Sequence, residues 1–228
     1  LNTKRIKWFF FDVGETLVDE SEPIRDIIGQ FVEQASLLGW PLRHEEALDA
    51  FMEAHRSFSP FPMQDVMKKF IKSDADIAAV RSAMKYRKEL EKPFPQAKEL
   101  LRKLAQNYRI GIIANQSAGT TSRLERYGML EHIHAVFSSS EEGLAKPDPR
   151  FFELALSKTA CLPEEAVMVG DRIDNDIIPA KKLGMRAIWV RQGLARLQAV
   201  PGNPLFAPDW TVERLADMES LADFNKSD

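Results

Sequence analysis

The 228-residue chain has a single cysteine, Cys161, and four histidines. One thiol cannot close an intrachain disulfide, and His132 and His134, which flank a single residue, have no partner pair at zinc-finger spacing. Disulfide scaffolds and zinc fingers are therefore excluded, and a reducing, cytoplasmic setting is expected. Long apolar runs are also lacking: none approaches the roughly 20 residues that a membrane-spanning helix needs. The stretch from Ile6 to Phe11 is too short for a signal-peptide core and meets Asp12 at once, so neither a membrane nor a signal sequence is expected. Nor does one sign of charge dominate. The 31 Lys and Arg stand against 34 Asp and Glu, a formal net charge of -3, and the basic residues are scattered, which argues against nucleic acid as the main ligand.

The length accommodates one full α/β core with residues left for a small second module. Ile6-Lys7-Trp8-Phe9-Phe10-Phe11 is an aromatic-rich apolar run ended by Asp12 and Gly14, and it reads as a buried strand entering a loop. Comparable runs follow at Arg109 to Ala114, Ala135 to Ser138, Ala166 to Val169 and Arg186 to Val190. Helical patterns separate them, at Ala97 to Gln106, Gly119 to Tyr127, Pro149 to Lys158 and Asn175 to Leu183. Strands alternating with helices predict parallel crossovers and a sheet covered on both faces.

Residues 20–91 break this alternation and contain no convincing strand. Ile24, Ile27, Ile28, Phe31, Val32, Ala35 and Leu38 follow helical spacing, with Gly39 as a stop signal. Further stripes begin at Ala47 and Leu48, at Val66 and Met67, and at Ile77 and Val80. Four amphipathic helices are predicted, with Ser59-Pro60-Phe61-Pro62 as a turn among them and Pro93-Phe94-Pro95 as the exit. The expected organisation is a core made of residues 1–19 and 92–228 and an all-helical insert over 20–91, with hinges near Val18 to Pro23 and Glu91 to Pro95.

In an open parallel sheet, ligands bind beyond the carboxyl ends of the strands, so polar residues that follow each apolar run should converge on one crevice. That rule gathers Asp12 and Thr16 after the first run, Asn115 after the second and Lys146 on the loop after the third. Asp171, Asp174 and Asp176 follow the fourth. Cys161 precedes a plain connection, and the four histidines have no partner in any motif, so all five are read as packing or surface residues.

Phe11-Asp12-Val13-Gly14-Glu15-Thr16-Leu17 resembles the first motif of haloacid dehalogenase-like hydrolases. Ile112-Ile113-Ala114-Asn115 resembles the second, Lys146-Pro147-Asp148 the third, and Gly170-Asp171-Arg172-Ile173-Asp174-Asn175-Asp176 the fourth, in family order and over roughly Trp8 to Val190. The resemblance implies a Rossmann-like parallel core, with the insert standing where the family's helical C1 cap stands. It also implies that Asp12 attacks a phosphoryl group and that Mg2+ is held by Asp12, Asp171 and the main-chain carbonyl of Gly14. Lys146 would place a second cation beside Asp12 and the phosphoryl oxygens, Thr16 and Asn115 would offer hydrogen bonds, and Asp176 would orient Lys146 or metal-bound water. Asp174 is expected just outside the coordination sphere. A carboxylate can attack a phosphate ester only where positive charge surrounds both partners, so this set has a physical logic. The implied partner is a small phosphorylated metabolite; monomer and homodimer are both open.

Two departures from the family pattern bear on rate. The family's phosphatases usually carry an acid/base Asp two residues after the nucleophile, where this chain has Gly14. General acid–base assistance is typically worth about 10²–10⁴ in rate, or roughly 3–5 kcal/mol of barrier. Glu15 is an adjacent candidate to replace it. Ala114 stands where the family often has a phosphate-binding Ser or Thr, a contact that Asn115 or Ser117 can take over. Weak activity is expected, best on phenolic or acyl phosphates, whose leaving groups need little protonation. Three other readings stay open: a non-catalytic binder, a metal-free 2-haloacid dehalogenase, and a phosphonate hydrolase using Lys68, Lys69 or Lys72 as a Schiff base. Arg25, Arg43, His55 and Arg56 are the insert residues considered for the crevice.

Overall fold

The computed structural model describes residues 5–221. Its strands are β1 (Trp8–Phe11), β2 (Val18–Asp19), β3 (Lys92–Pro93), β4 (Arg109–Ala114), β5 (Ala135–Ser138), β6 (Ala166–Gly170), β7 (Arg186–Val190) and β8 (Trp210–Val212). Its α-helices are α1 (Ser21–Leu37), α2 (His44–Arg56), α3 (Pro62–Phe70), α4 (Asp74–Ala83), α5 (Ala97–Leu104), α6 (Thr120–Arg126), α7 (Ser139–Glu142), α8 (Pro149–Lys158) and α9 (Ile178–Lys182). Two compact units emerge: one runs up to Val18 and resumes at Pro93, and the other is Asp19–Lys92.

The first unit is built on a six-stranded sheet in the order β5-β4-β1-β6-β7-β8, every neighbouring pair parallel. Side chains alternate between its two faces, as the period of a strand requires. Phe9 and Phe11 join Ile110, Ile112, Val167, Val169 and the α5 residues Leu100, Leu101 and Leu104 on one face. Phe10 joins Ile113, Met168 and the α8 residues Phe151 and Phe152 on the other. Burial on both faces is why each strand reads as a near-continuous apolar run. The chain leaves β1 for β4 and β5 on one side and returns to β6 on the other, so β1 marks the topological switch where such sheets place their ligands.

Two elements differ from expectation. The edge strand β8 is only three residues long, with Thr211 exposed, and is too short to register as an apolar run. The helix expected from Asn175 is a π-helical turn over Ile173–Ile177 that passes into α9. Pro179 has no amide hydrogen to bond the carbonyl four residues back, which disrupts regular α-helical bonding at this junction.

In the inserted unit, α1 buries Ile24, Ile28, Phe31 and Ala35, a stripe of helical period. Ile27 and Val32 flank it half-buried, whereas Leu38 is exposed. Phe51 of α2, Val66 and Met67 of α3 and Val80 of α4 are buried as well, and the Phe31 and Phe70 rings lie 6.4 Å apart. Gly39 ends the first helix at φ 84, where the Trp40 amide reaches back to the Ala35 carbonyl at 2.9 Å. The two connections, β2 and β3, pair with each other. Among the described residues no helix is long and apolar enough to cross a membrane.

Candidate active site

The Asp12 amide still donates to the Val169 carbonyl at 2.9 Å, so the nucleophile candidate leaves β1 in register with the end of β6. The chain then turns tightly: the Leu17 and Val18 amides both return to the Val13 carbonyl at 2.9 Å. This loop holds Glu15 at φ 54, a left-handed conformation that costs a non-glycine residue on the order of 1 kcal/mol or more.

Lys146 is the centre of the cluster. Its Nζ lies 2.6 Å from Asp12 Oδ1 and 2.6 Å from Asp176 Oδ1, and its side chain is 2 % exposed. Burial lowers the affinity of its amine for a proton, but the charges of Asp12 and Asp176 outweigh that and hold it above the ordinary lysine range. Asn115 fixes the lysine's main chain, donating to its carbonyl at 2.8 Å and accepting its amide at 2.7 Å. Asn115, expected to bond phosphate, is thus seen clamping Lys146.

Carboxylate oxygens of Asp12, Asp171 and Asp176 lie within 4.8 Å of one another. Asp176 accepts the Arg172 amide at 3.0 Å, and its carboxylate rests over Gly170, where a Cβ would collide with it. Burial pushes its carboxyl up to about 6 against the pull of Lys146. Asp171 is 4 % exposed, and its carboxylate makes no hydrogen bond or ion pair among the described residues. Burial first, and then the charges of Asp176, Asp12 and Glu15, raise it well above the usual carboxylate range. Three acids against one ammonium, one of them, Asp171, buried and with its carboxylate unpaired among the described residues, form an arrangement that a hard divalent cation with oxygen ligands would neutralise. The donor set fits such an ion.

Gly14 lies in the same loop, bridged to Val18. Thr16 is fully buried, and its hydroxyl has no hydrogen bond among the described residues. Asp174 stands outside the acid cluster, in a two-bond pair with Arg172 at 2.6 and 3.1 Å. The Glu15 carboxylate packs against Gly193, and Ser117 is exposed, its hydroxyl 3.5 Å from the Ala118 carbonyl. In the insert, Arg25, Arg43 and Arg56 are exposed, and His55 meets the Phe51 ring edge-on at 4.8 Å. His134 accepts the Ile110 amide at 3.1 Å, a packing role. Burial, and then Glu165, pushes the Cys161 thiol up to about 12, which leaves it protonated at neutral pH.

The sequence reading passed over several residues here. Ser138, fully buried at the end of β5 and in register with Ala114, presents a second hydroxyl without a hydrogen bond among the described residues. Trp189 donates from its indole nitrogen to the Asp171 carbonyl at 2.6 Å, and Gln192 and Gln198 bond the loops that carry the acids. The strand-end rule, applied to the fifth apolar run as it was to the first four, would have pointed to Gln192.

Residues 9–190 match the profile of the haloacid dehalogenase-like hydrolase family. A glyceraldehyde 3-phosphate phosphatase from Pyrococcus furiosus is 32% identical over 206 residues, covering 83% of this chain and 82% of the relative. A pyrimidine 5'-nucleotidase from Escherichia coli is 35% identical over 135 residues, 58% of each chain. The fold superposes on a haloacid dehalogenase-like hydrolase from Streptococcus pneumoniae with a TM-score of 0.69 at 22% identity, covering 96% of this chain and 99% of the other. With the matched span running from the first strand through the acid loop to the end of β7, the chain belongs to the haloacid dehalogenase-like hydrolase family.

Proposed function

We propose that the chain is a cytoplasmic, magnesium-dependent phosphatase that cleaves small phosphorylated metabolites through an aspartyl-phosphate on Asp12, with Asp19–Lys92 as a C1-type cap. The observation that carries this reading is Lys146 held between Asp12 and Asp176 at 2.6 Å each, while the buried Asp171 carboxylate beside them has no cation of its own. Two relatives, named for glyceraldehyde 3-phosphate and for a pyrimidine 5'-nucleotide, support a small phosphate ester as the substrate class.

Mg2+ held by Asp12, Asp171 and the Gly14 carbonyl would supply positive charge against the phosphoryl oxygens. Lys146 bonds Asp12 Oδ1 and leaves Oδ2 for attack on phosphorus. The ester P–O bond then breaks. Because Gly14 offers no acid, the leaving oxygen takes its proton from water. The hydroxide so formed adds to phosphorus, the bond from phosphorus to Asp12 breaks with its electron pair returning to the carboxylate, and inorganic phosphate leaves. Thr16 turns its buried hydroxyl to a phosphoryl oxygen, and Asn115 holds the lysine in place.

Magnesium-dependent release of phosphate from p-nitrophenyl phosphate and acetyl phosphate tests the reading. Asp12→Asn should lose activity by at least about 10³-fold. Silence toward every activated phosphate, or full activity of that variant, would overturn it. Gly14 and Ala114 favour a second reading, a binder that has lost turnover. Gly14→Asp separates the two: a phosphatase should recover part of the ~10²–10⁴-fold acid–base contribution on alkyl phosphates, and a binder should gain nothing.

A further inference from the structure

Gln192 and Gln198 lie on the segment that follows β7, and neither takes part in the chemistry above. Gln192 donates from Nε2 to the Glu15 carbonyl at 2.8 Å and the Thr16 carbonyl at 3.1 Å, and its Oε1 accepts the Leu215 amide at 3.0 Å. Gln198 is 4 % exposed. Its Oε1 accepts the Ile173 amide at 2.7 Å, and its Nε2 donates to Asp174 Oδ1 at 2.9 Å. One end of the segment is thus fastened to the loop that carries the nucleophile, and the other to the loop that carries Asp171 and Asp176.

The backbone between them is shaped for this course. Gly193 sits at φ 67, ψ -153, a region that is essentially glycine's alone, and a Cβ there would strike the Glu15 carboxylate. Glu15 is itself left-handed and 7 % exposed. Nucleophile loop and glycine therefore interlock, after which a short 3-10 turn over Leu194–Leu197 carries the chain to Gln198. The irregular loops present bare backbone groups, and the two amide side chains supply partners without adding charge beside three carboxylates.

We propose that Gln192 and Gln198 are positioning residues that set the spacing between Asp12 and Asp171, and with it the affinity for the divalent cation. The inference rests on the metal-dependent reading above. A cation shared by carboxylates on separate loops binds only as tightly as those loops hold their ligands, and hydrogen-bond partners behind metal ligands are typically worth about 10–100-fold in affinity.

Calorimetric titration of Mg2+ into wild type, Gln192→Glu, Gln198→Met and Leu156→Ala is the test. Gln192→Glu keeps an acceptor for Leu215 but loses the donor to Glu15 and Thr16; Leu156→Ala opens a cavity in the other face of the sheet and serves as a stability control. Both glutamine variants should weaken Mg2+ binding by about tenfold or more. With saturating Mg2+, their kcat should return toward wild type with KM for the ester unchanged, while Leu156→Ala melts earlier but keeps its Mg2+ affinity. Wild type that binds Mg2+ alongside glutamine variants that bind it equally well overturns the positioning role alone, as does an equal loss in Leu156→Ala. Wild type that binds no Mg2+ overturns the positioning role and the metal-dependent reading together. Should Gln198→Met fail to fold, Gln192→Glu decides.

Discussion

Charge is handled in opposite ways by the inserted unit and by the end of the parallel sheet. In the insert, Arg87 pairs with Asp26 at 3.1 Å and Lys92 pairs with Glu22, with both basic side chains at least half exposed. Such pairs gain little, because water competes for each partner. At the sheet, the side chains of Lys146, Asp12 and Asp176 are 2, 13 and 1 % exposed, and the Asp171 carboxylate has no hydrogen bond or ion pair among the described residues. Burying charge is expensive unless it is paired, and a protein that needs it only to stay folded has cheaper options. The difference marks the sheet end as a place where stability is given up for chemistry.

The sharpest way to break this contrast is Lys146→Met. Removing the ammonium leaves two buried carboxylates uncompensated, and the loss should be roughly 3–5 kcal/mol in metal-free urea denaturation. A loss below 1 kcal/mol would mean that the cluster is solvated like the surface pairs.

Next comes Asp171→Asn without metal. The Asp171 carboxyl is raised above its unfolded value, so its stabilising contribution is complete below the unfolded carboxylate range and is lost as pH rises through the folded value. Its neighbour Asp176, raised to about 6, follows the same sign. The variant should therefore melt above wild type by a margin that widens as pH rises above the unfolded carboxylate range. Mg2+ should close the margin by raising the wild-type Tm and leaving the variant where it was. A margin that is flat across pH, or that shrinks with pH, contradicts the unpaired buried charge.

The smallest effect belongs to the insert. Arg87→Ala should cost less than about 1 kcal/mol by the same denaturation measurement, and that small cost should fall further with added salt.

The parallel sheet and the helical insert were legible because burial leaves a periodic trace: two-faced burial gives the unbroken apolar runs of β1 and β6, and one-faced burial gives the Ile24, Ile28, Phe31, Ala35 stripe of α1. Asp12, Asp171 and Lys146 could be picked out because each follows a strand of that sheet. The rest depends on contacts between segments far apart in sequence. Asp174, paired with Arg172, and Asp176, which reaches Lys146, were told apart only by the resemblance of the fourth motif, not by residue type or spacing. Nothing near Asn115 announces that its amide will meet the Lys146 main chain. The left-handed turn at Glu15 has no glycine to signal it, because the partner that makes room, Gly193, lies at the other end of the chain.

Asp12 hangs from a strand whose two edges are both taken: β4 on one side, β6 on the other. Dislodging it by local opening would mean unzipping two ladders at once, so Asp12 should stay in place as long as the strand pairing does. Heat inactivation should then coincide with loss of the whole sheet, with no earlier stage in which the fold survives and Asp12 has already wandered.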